Sequence, residues 1–273
     1  MKSILDNNIG NEKIKTLIKS NKPFSITRLR SETDILMNYK NNSLKDCFNS
    51  KYDINGGIIN PTKETLEEYS KHVQKGIEES DLLVYWSHLH NQYNNYNDII
   101  NCELVMNRAV EPFYFDIPWS MELKDKNVLI IHPFVNTIEE QYKKKDLLFN
   151  NNKILPEFNL ITYKPYQTSC TNTNSNDDWN ELLSTMMEDI SKIDFDIALI
   201  GCGCYDIPLS THIKNIGKQS IIIGGGLQIM FGIKGKRWDN HDYISKLYNE
   251  NWIRPSEEER PKNFTTVEGG CYW

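Results

Sequence analysis

Two glycine-rich turns contain the residues of this sequence best suited to hold a ligand. Each turn follows a predicted buried strand, the apolar run 197–200 in the first case and the segment 219–223 in the second. Glycine lets the backbone turn sharply and exposes its N–H groups to an anionic or polar ligand. The first turn contains Gly201, Gly203 and Tyr205, and the second contains Gly224, Gly225, Gly226 and Gln228. The spacing predicts one ligand cradle formed by both turns.

Three cations follow the second turn within a dozen residues. They are Lys234, Lys236 and Arg237, and they are accompanied by Phe231 and Trp238. A lysine or a bidentate arginine can neutralise a phosphate group, and aromatic rings can cover the rest of such a ligand. We therefore predict that Lys234 or Arg237 offsets the charge of a diphosphate. A solvated turn is the alternative interpretation.

Histidine and carboxylate residues supply the candidates for acid–base or metal chemistry. His132 follows the apolar run 127–131 and precedes Pro133, so it could act as a general base or bind phosphate oxygens; the alternative is a buried histidine that fixes a loop. His88 and His90 fit a surface loop better than a metal pair because no third ligand is evident. Asp194 and Asp196 form a D-x-D pattern, but they precede their strand and so belong to the opposite edge of a sheet.

Several familiar motifs are absent from the sequence. There is no G-x-G-x-x-G fingerprint, no phosphate-binding P-loop pattern and no G-x-S-x-G elbow. Cys202 and Cys204 lack a second Cys/His pair, which argues against a zinc site. The chemistry must therefore be inferred from where residues lie on the fold.

Composition bounds the class of protein. The 273 residues carry a formal net charge of −6, which gives no electrostatic reason to expect nucleic acid as a partner. The N-terminal residues resemble no secretory signal, and no run of about 18 apolar residues occurs. We expect a cytoplasmic protein with reduced thiols and no membrane span, in a host cytoplasm or virion if the source is viral.

The predicted elements alternate between strands and helices, which indicates an α/β fold. The expected strands are 24–27, 82–86, 127–131, 158–163, 197–200 and 219–223, and the expected helices are 11–20, 31–38, 62–80, 99–108, 136–149, 179–193 and 208–216. Such alternation predicts a Rossmann-like, mainly parallel sheet with helices on both faces. The residues after each strand then meet at one edge, where ligands bind in this fold class.

The domain prediction is a single α/β domain over 1–273, in which 239–273 forms a wrapping C-terminal tail. Tyr272 and Trp273 end the sequence, and large aromatic side chains of this kind are expected to be docked. They could seal the core or line the pocket, and we favour sealing.

Four segments together resemble an uncharacterised bacterial and giant-virus family that is often grouped with GT-D-type glycosyltransferases. They are KPFSITRLRSE (22–32), NVLIIHPFVNTIEEQY (127–142), the stretch 196–238 that carries both glycine turns, and NWIRPSEEERPKNFTTVEGGCYW (251–273). The resemblance implies a Rossmann-like domain that binds a nucleotide sugar. It also implies an Arg-Phe-Gly-Asp-x-Glu type element that holds a divalent metal, Mn²⁺ or Mg²⁺.

The sequence departs from that element. Arg28 matches its arginine and Leu29 stands for its aromatic residue, but Arg30 and Ser31 replace the glycine and the aspartate. Glu32 can replace the glutamate only by a slip of one position. Glu32 and Asp34 are therefore candidates for either metal binding or base catalysis.

These observations lead to one main functional hypothesis and two alternatives. The main hypothesis is a glycosyltransferase in polysaccharide biosynthesis, in which the glycine turns and Arg28 hold the nucleotide diphosphate and Glu32 or His132 serves the acceptor. Its partners would be a nucleotide sugar and a glycan acceptor, and a homo-oligomer is compatible with the sequence. The first alternative is a non-catalytic nucleotide- or glycan-binding protein of a virion or capsule pathway, which the altered element favours. The second is a Rossmann-like hydrolase or transferase that uses His132.

Overall fold

Among the described residues, eight strands form one open sheet in the computed structural model, which describes residues 3–29, 57–58, 62–86, 96–168 and 177–273. The strands are β1 (Ile4–Leu5), β2 (Phe24–Arg28), β3 (Leu82–Tyr85), β4 (Glu103–Met106), β5 (Asn127–Ile131), β6 (Asn159–Tyr163), β7 (Ile197–Ile200) and β8 (Gln219–Ile222). Their spatial order is β1-β4-β3-β2-β8-β7-β5-β6, and every pairing is parallel. All carboxyl ends therefore lie at one edge.

Six α-helices connect the strands in the described part of the chain. They are α1 (Asn7–Lys19), α2 (Lys63–Glu78), α3 (Val135–Tyr142), α4 (Trp179–Ser191), α5 (Asp206–Asn215) and α6 (Gly226–Met230). Side-chain caps start three of them: Asp6, Thr62 and Asp178 each accept hydrogen bonds from N–H groups of the first helical turn. These caps satisfy donors that a helix N-terminus otherwise leaves unpaired.

Helices cover both faces of the sheet because the buried strands alternate their side chains. In β5, Val128 and Ile130 point into one core, whereas Leu129 and Ile131 point into the other. Helices α1 and α3 pack on the first face, and α2, α4 and α5 pack on the second. The period of two along each strand places apolar side chains on both faces of a buried parallel sheet. The predicted α/β, Rossmann-like class is confirmed.

The helix expected over 136–149 ends at Tyr142, and one predicted element is of the wrong type. The segment 99–108 is expected to be helical, but residues Glu103–Met106 form β4 between β1 and β3. Leu104 and Val105 are buried in opposite cores, which only an extended strand allows. Pairing with two distant strands overrides the weak local pattern. The predicted helix 31–38 lies outside the described residues.

The segment 239–273 extends along the first face of the sheet. It contains short 3-10 turns, and it buries Ile244 and Trp252 in the core shared with α1 and α3. Ile253 forms an isolated parallel bridge with Ile233. Within the described ranges, no helix combines the length and the apolar character that crossing a bilayer requires.

Candidate functional site

A pocket opens at the edge of the sheet where β5, β6, β7 and β8 end. It is lined by His132, Pro133 and Phe134 after β5, by Pro165, Tyr166, Gln167 and Thr168 after β6, by Gly201, Cys202 and Gly203 after β7, and by Gly224, Gly225 and Gln228 after β8. Val267, Tyr272 and Trp273 complete the lining. Parallel strands bring these loops together at their carboxyl ends. The pocket therefore lies at the carboxyl edge of the sheet, where the sequence predicts a site.

The two glycine turns are in direct contact. A Cβ atom on Gly201 would lie 2.8 Å from the carbonyl oxygen of Gly224 and 3.1 Å from Cδ2 of His132. Gly203 and Gly224 have φ angles of +72° and +63°, a backbone region that other residues rarely adopt. Glycine at these positions lets the turns approach each other. The structure thus brings the two turns together, and their role in ligand binding remains a prediction.

His132 is held at the floor of the pocket in its neutral form. It is buried, and its Nδ1 accepts a hydrogen bond of 3.0 Å from the N–H of Phe134. Burial lowers the pKa of His132 to about 3. The hydrogen bond assigns the proton to Nε2, which forms no further hydrogen bond with a described residue. His132 therefore fixes a loop, as one interpretation of the sequence has it, and it can also offer a neutral N–H to a ligand.

Aromatic rings form much of the remaining wall. Phe134 and Trp273 meet with ring centroids 5.7 Å apart, and Tyr166 is 44% exposed at the mouth. Tyr272 and Trp273 come from the C-terminal segment; they line the pocket, and they also pack, partly buried, against the core shared with α1 and α3. Lining of the pocket and sealing of the core, the two expectations from the sequence, are therefore both met in part. Among the described lining residues there is no Lys, Arg, Asp or Glu. This wall suits an uncharged, flat ligand group.

Gln228 ties the second glycine turn to the C-terminal segment. Its buried side-chain Nε2 donates to the carbonyl oxygens of Ile233, Lys234 and Tyr272 at 3.2–3.4 Å. A Cβ atom on Gly225 would lie 3.0 Å from the Tyr272 ring. The last residues of the chain are thus fixed against the turn, so the pocket wall is built from segments far apart in sequence.

Several predicted ligand-binding residues lie away from this pocket. Lys234 places its Nζ over the ring of Tyr248, 5.4 Å from the centroid, and Arg237 forms an ion pair with Glu268. Tyr205 is buried and stacks on Trp179 in the core between the sheet and α4. None of these three residues lines the pocket. Glu32, Asp34, His88 and His90 lie outside the described residues.

Arg28 lies at the same edge, on the other side of the β8 turn. It ends β2, which pairs with β8, and its side chain is 7% exposed. Its Nη1 donates to the carbonyl oxygen of Ile223, and its guanidinium carbon lies 4.6 Å from the centroid of the Trp86 ring. A cation therefore lies beside the residue that leads into the second glycine turn.

Glu111 is a candidate that sequence reasoning missed. Its Oε1 lies 3.5 Å from Nη2 of Arg28, and it would lie 3.3 Å from a Cβ atom on Gly226. Burial raises the pKa of Glu111, while Arg28 and Arg108 act in the opposite direction. Glu111 follows β4, the strand predicted as a helix. The sequence would place Glu111 at the carboxyl edge only if residues 103–106 were recognised as a strand.

The described residues supply no evident metal site. In these ranges no group of three His, Cys, Asp or Glu side chains is arranged to hold an ion. Oδ2 of Asp196 accepts a hydrogen bond of 2.7 Å from the N–H of Asn127, and Oδ1 of Asp194 lies 3.4 Å from Nζ of Lys218. Both carboxylates therefore lie at the amino edge of the sheet, opposite the pocket. The candidate metal ligands Glu32 and Asp34 lie outside the described ranges.

Comparison with known proteins gives a match in fold. No family model matches the chain, and no curated protein is similar to it in sequence. A solved structure described as domain of unknown function 1792 (DUF1792) has a TM-score of 0.53 and 12% identity, covering 96% of this chain and 94% of that one. Another, described as a new glycosyltransferase (DUF1792) from Streptococcus sanguinis, has a TM-score of 0.52 and 12% identity, covering 96% and 98%. At this identity the likeness is one of fold, and it confirms the fold that the family resemblance implies over nearly the full length of each chain.

Proposed function

We propose that this protein is a glycosyltransferase that binds a nucleotide-sugar donor at the carboxyl edge of its sheet and transfers the sugar to a glycan or another acceptor. The observation that carries the proposal is the pocket in which both glycine turns meet, with Arg28 beside the second turn. The fold likeness to a protein described as a glycosyltransferase supports it.

The second glycine turn and Arg28 fit the diphosphate of such a donor. The N–H of Gly225 donates to no described residue, and the absence of side chains at Gly224 and Gly225 lets a ligand approach the backbone. Arg28 is largely withdrawn from water, which strengthens its attraction for an anion. During transfer, the bond from the anomeric carbon to the diphosphate breaks and negative charge develops on the leaving group. A fixed cation stabilises that charge.

A carboxylate fits the acid–base role better than His132 does. As the acceptor oxygen bonds to the anomeric carbon, its hydroxyl proton must pass to a base. With a pKa of about 3, His132 is a weak base at neutral pH. Glu111 lies beside Arg28, and Glu32 follows four residues after Arg28 in the sequence. We assign the base to one of these two carboxylates.

A divalent cation stays a prediction from the family resemblance. Mn²⁺ or Mg²⁺ bound by Glu32 and Asp34 would offset diphosphate charge. The described residues offer no donor set for it, so no step of the transfer is assigned to a metal.

The test is release of a nucleoside diphosphate from UDP-, GDP- and dTDP-sugars, with and without Mn²⁺ or Mg²⁺. One donor should be turned over. Gly201→Ala should abolish turnover because its Cβ atom would collide with Gly224 and crowd His132. Gly217→Ala is the control: its φ of +85° strains any side chain there, but its Cβ atom would meet nothing within 4 Å and the residue does not line the pocket, so turnover should persist.

The outcomes separate the glycosyltransferase hypothesis from the non-catalytic binding protein. Absence of both turnover and nucleotide binding would contradict the proposal. Nucleotide binding without turnover or transfer would favour the non-catalytic binding protein.

A further inference from the structure

The turn after β8 divides the candidate site into two compartments. On one side, Gly224 and Gly225 face the pocket that contains His132. On the other side, the carbonyl oxygen of Ile223 accepts a hydrogen bond from Arg28, and Gly226 lies against Glu111. A ligand that crosses this turn meets different chemistry on each side.

The compartment at the ends of β5, β6 and β7 is aromatic and uncharged in its described lining. Phe134, Tyr166, Tyr272 and Trp273 supply its rings, and they come from three separate segments. His132 contributes a neutral N–H donor at the floor. Aromatic rings stack on the flat face of any nucleobase, and a neutral N–H suits a base carbonyl oxygen. We call this compartment the aromatic pocket.

The compartment at the ends of β2 and β4 carries charge. Nη2 of Arg28 lies 3.5 Å from Oε1 of Glu111 there, and the two side chains are only 7% and 12% exposed. Arg108 acts electrostatically on the same carboxylate. Reacting groups need such charges, because proton transfer and leaving-group stabilisation both depend on them. We call Arg28 and Glu111 the charged pair.

Resting on the proposed function, we infer that the nucleotide sugar binds across the β8 turn in one orientation, with its nucleobase in the aromatic pocket and its transferred sugar beside the charged pair. A nucleotide sugar has an uncharged flat base at one end, a diphosphate in the middle and the reacting anomeric carbon next to the diphosphate. This order matches the order of the aromatic pocket, the glycine turn with Arg28, and Glu111 along the edge.

The reverse orientation fits the described residues poorly. It would place the anomeric carbon on the side of the aromatic pocket, whose described lining has no carboxylate to accept the acceptor's proton. It would also place the nucleobase beside a nearly buried ion pair. The proposed orientation assigns Tyr166 and Trp273 to base stacking, and it assigns Glu111 to the side where the sugar is transferred.

Equilibrium titration of the full chain tests this orientation. The probes are UDP, GDP and dTDP, then UDP-glucose, GDP-mannose and dTDP-glucose, and inorganic pyrophosphate, all with Mg²⁺ present. The variants are Tyr166→Leu and Trp273→Leu; Tyr166 is 44% exposed at the mouth, so its replacement should leave the fold intact even if Trp273→Leu does not fold. Tyr243→Leu is the matched control, because Tyr243 is 39% exposed and does not line the aromatic pocket.

We expect Tyr166→Leu to weaken binding of the preferred nucleoside diphosphate roughly tenfold, the scale of one lost stacking contact, and to leave pyrophosphate binding unchanged. Tyr243→Leu should leave both affinities unchanged. Equal affinities of Tyr166→Leu and wild type for the diphosphate would overturn the inference. A loss seen with the intact nucleotide sugar but not with its diphosphate would place the sugar in the aromatic pocket, and would overturn the orientation while leaving the proposed function intact. If wild type binds no nucleotide at all, the proposed function fails and the orientation with it.

Discussion

At the scale of single residues, burial decides what His132 and Glu111 can do. His132 is enclosed beside Phe134 and the first glycine turn, and burial lowers its pKa to about 3. Glu111 is nearly buried beside Arg28, and burial raises its pKa against the opposing effect of two arginines. A histidine held neutral and a carboxylate whose ionisation depends on its neighbours have different uses in one site. The first suits recognition of an uncharged group, and the second suits proton transfer.

The low pKa of His132 predicts a particular loss of stability in acid. The imidazole of His132 is protonated below about pH 6.5 in the unfolded chain but only below about pH 3 in the folded chain. The neutral form of His132 therefore contributes to the free energy of unfolding at pH 7, and this contribution is lost as the pH falls below 6.5. Between pH 7 and pH 5 the loss should be about 2 kcal/mol. His132→Asn keeps an acceptor for the Phe134 N–H but does not titrate. Urea unfolding at both pH values should therefore show a smaller drop for the variant, and equal drops would contradict the assignment.

The pair formed by Arg28 and Glu111 predicts a recovery in a double variant. Arg28→Met leaves a nearly buried carboxylate without its closest cation and should lower the free energy of unfolding by about 3 to 5 kcal/mol. Adding Glu111→Gln removes the unpaired charge, so the double variant should be more stable than Arg28→Met. Urea unfolding at pH 7 measures both. A double variant less stable than the single variant would show that the two side chains are not coupled in this way.

At the scale of elements, the carboxyl edge is visible in the sequence where apolar runs are followed by glycine or histidine. The sequence predicts β5, β7 and β8 and their turns for this reason, because each turn is preceded by a continuous apolar stretch, at 128–131, 197–200 and 221–223, of the kind that buried parallel strands contain. The sequence predicts a helix in place of β4 because the short run has no clear period and its identity as a strand depends on pairing with β1 and β3. Glu111 was missed with it. The contributions of Tyr166 and Trp273 were equally hidden, since only the folded chain brings them to the glycine turns.

Helix α3 is joined to the C-terminal segment by Glu259. This buried carboxylate accepts N–H groups of Asn136 and Thr137 at 2.7 and 3.2 Å, and also the hydroxyl groups of Thr137 and Ser256. Glu259→Gln replaces one acceptor oxygen by a donor and should lower the free energy of unfolding by about 1.5 to 3 kcal/mol. Chemical denaturation measures this loss, and amide exchange in 255–273 should become faster.

Glu258→Gln is the control for that prediction. Glu258 is exposed on the same 3-10 turn and should tolerate the change within about 0.5 kcal/mol. Identical behaviour of the two variants would show that Glu259 does not anchor the segment.

At the scale of the whole molecule, one sheet separates two cores, its described strands all end at the same edge, and the C-terminal segment reaches that edge to complete the pocket wall. The N–H of Lys236 donates to the carbonyl oxygen of Trp273, and the N–H of Arg237 donates to that of Cys271. These bonds hold the last residues against the glycine turn without making them part of the sheet. Residues 271–273 therefore contribute more to the pocket wall than to the fold, whereas Ile244 and Trp252 of the same segment belong to the core.

Removal of residues 271–273 tests that division of roles. The truncated protein should keep its secondary structure by circular dichroism and should melt roughly 5 to 10 °C lower, because a few hydrogen bonds and three ring contacts with the rest of the chain are lost. Nucleotide binding should be lost with the pocket wall. Global unfolding of the truncated chain would show instead that Tyr272 and Trp273 seal the core.

The most direct test of the account is a thermal-shift titration of the purified chain with nucleoside diphosphates and nucleotide sugars, with and without Mn²⁺ or Mg²⁺. A ligand that binds the folded state must raise the melting temperature. We predict that one nucleotide sugar and its diphosphate raise it by roughly 5 °C or more at saturating concentration, and that Gly201→Ala removes the shift while Gly217→Ala keeps it. No shift with any member of the panel would contradict the assignment of a nucleotide-sugar site to this edge.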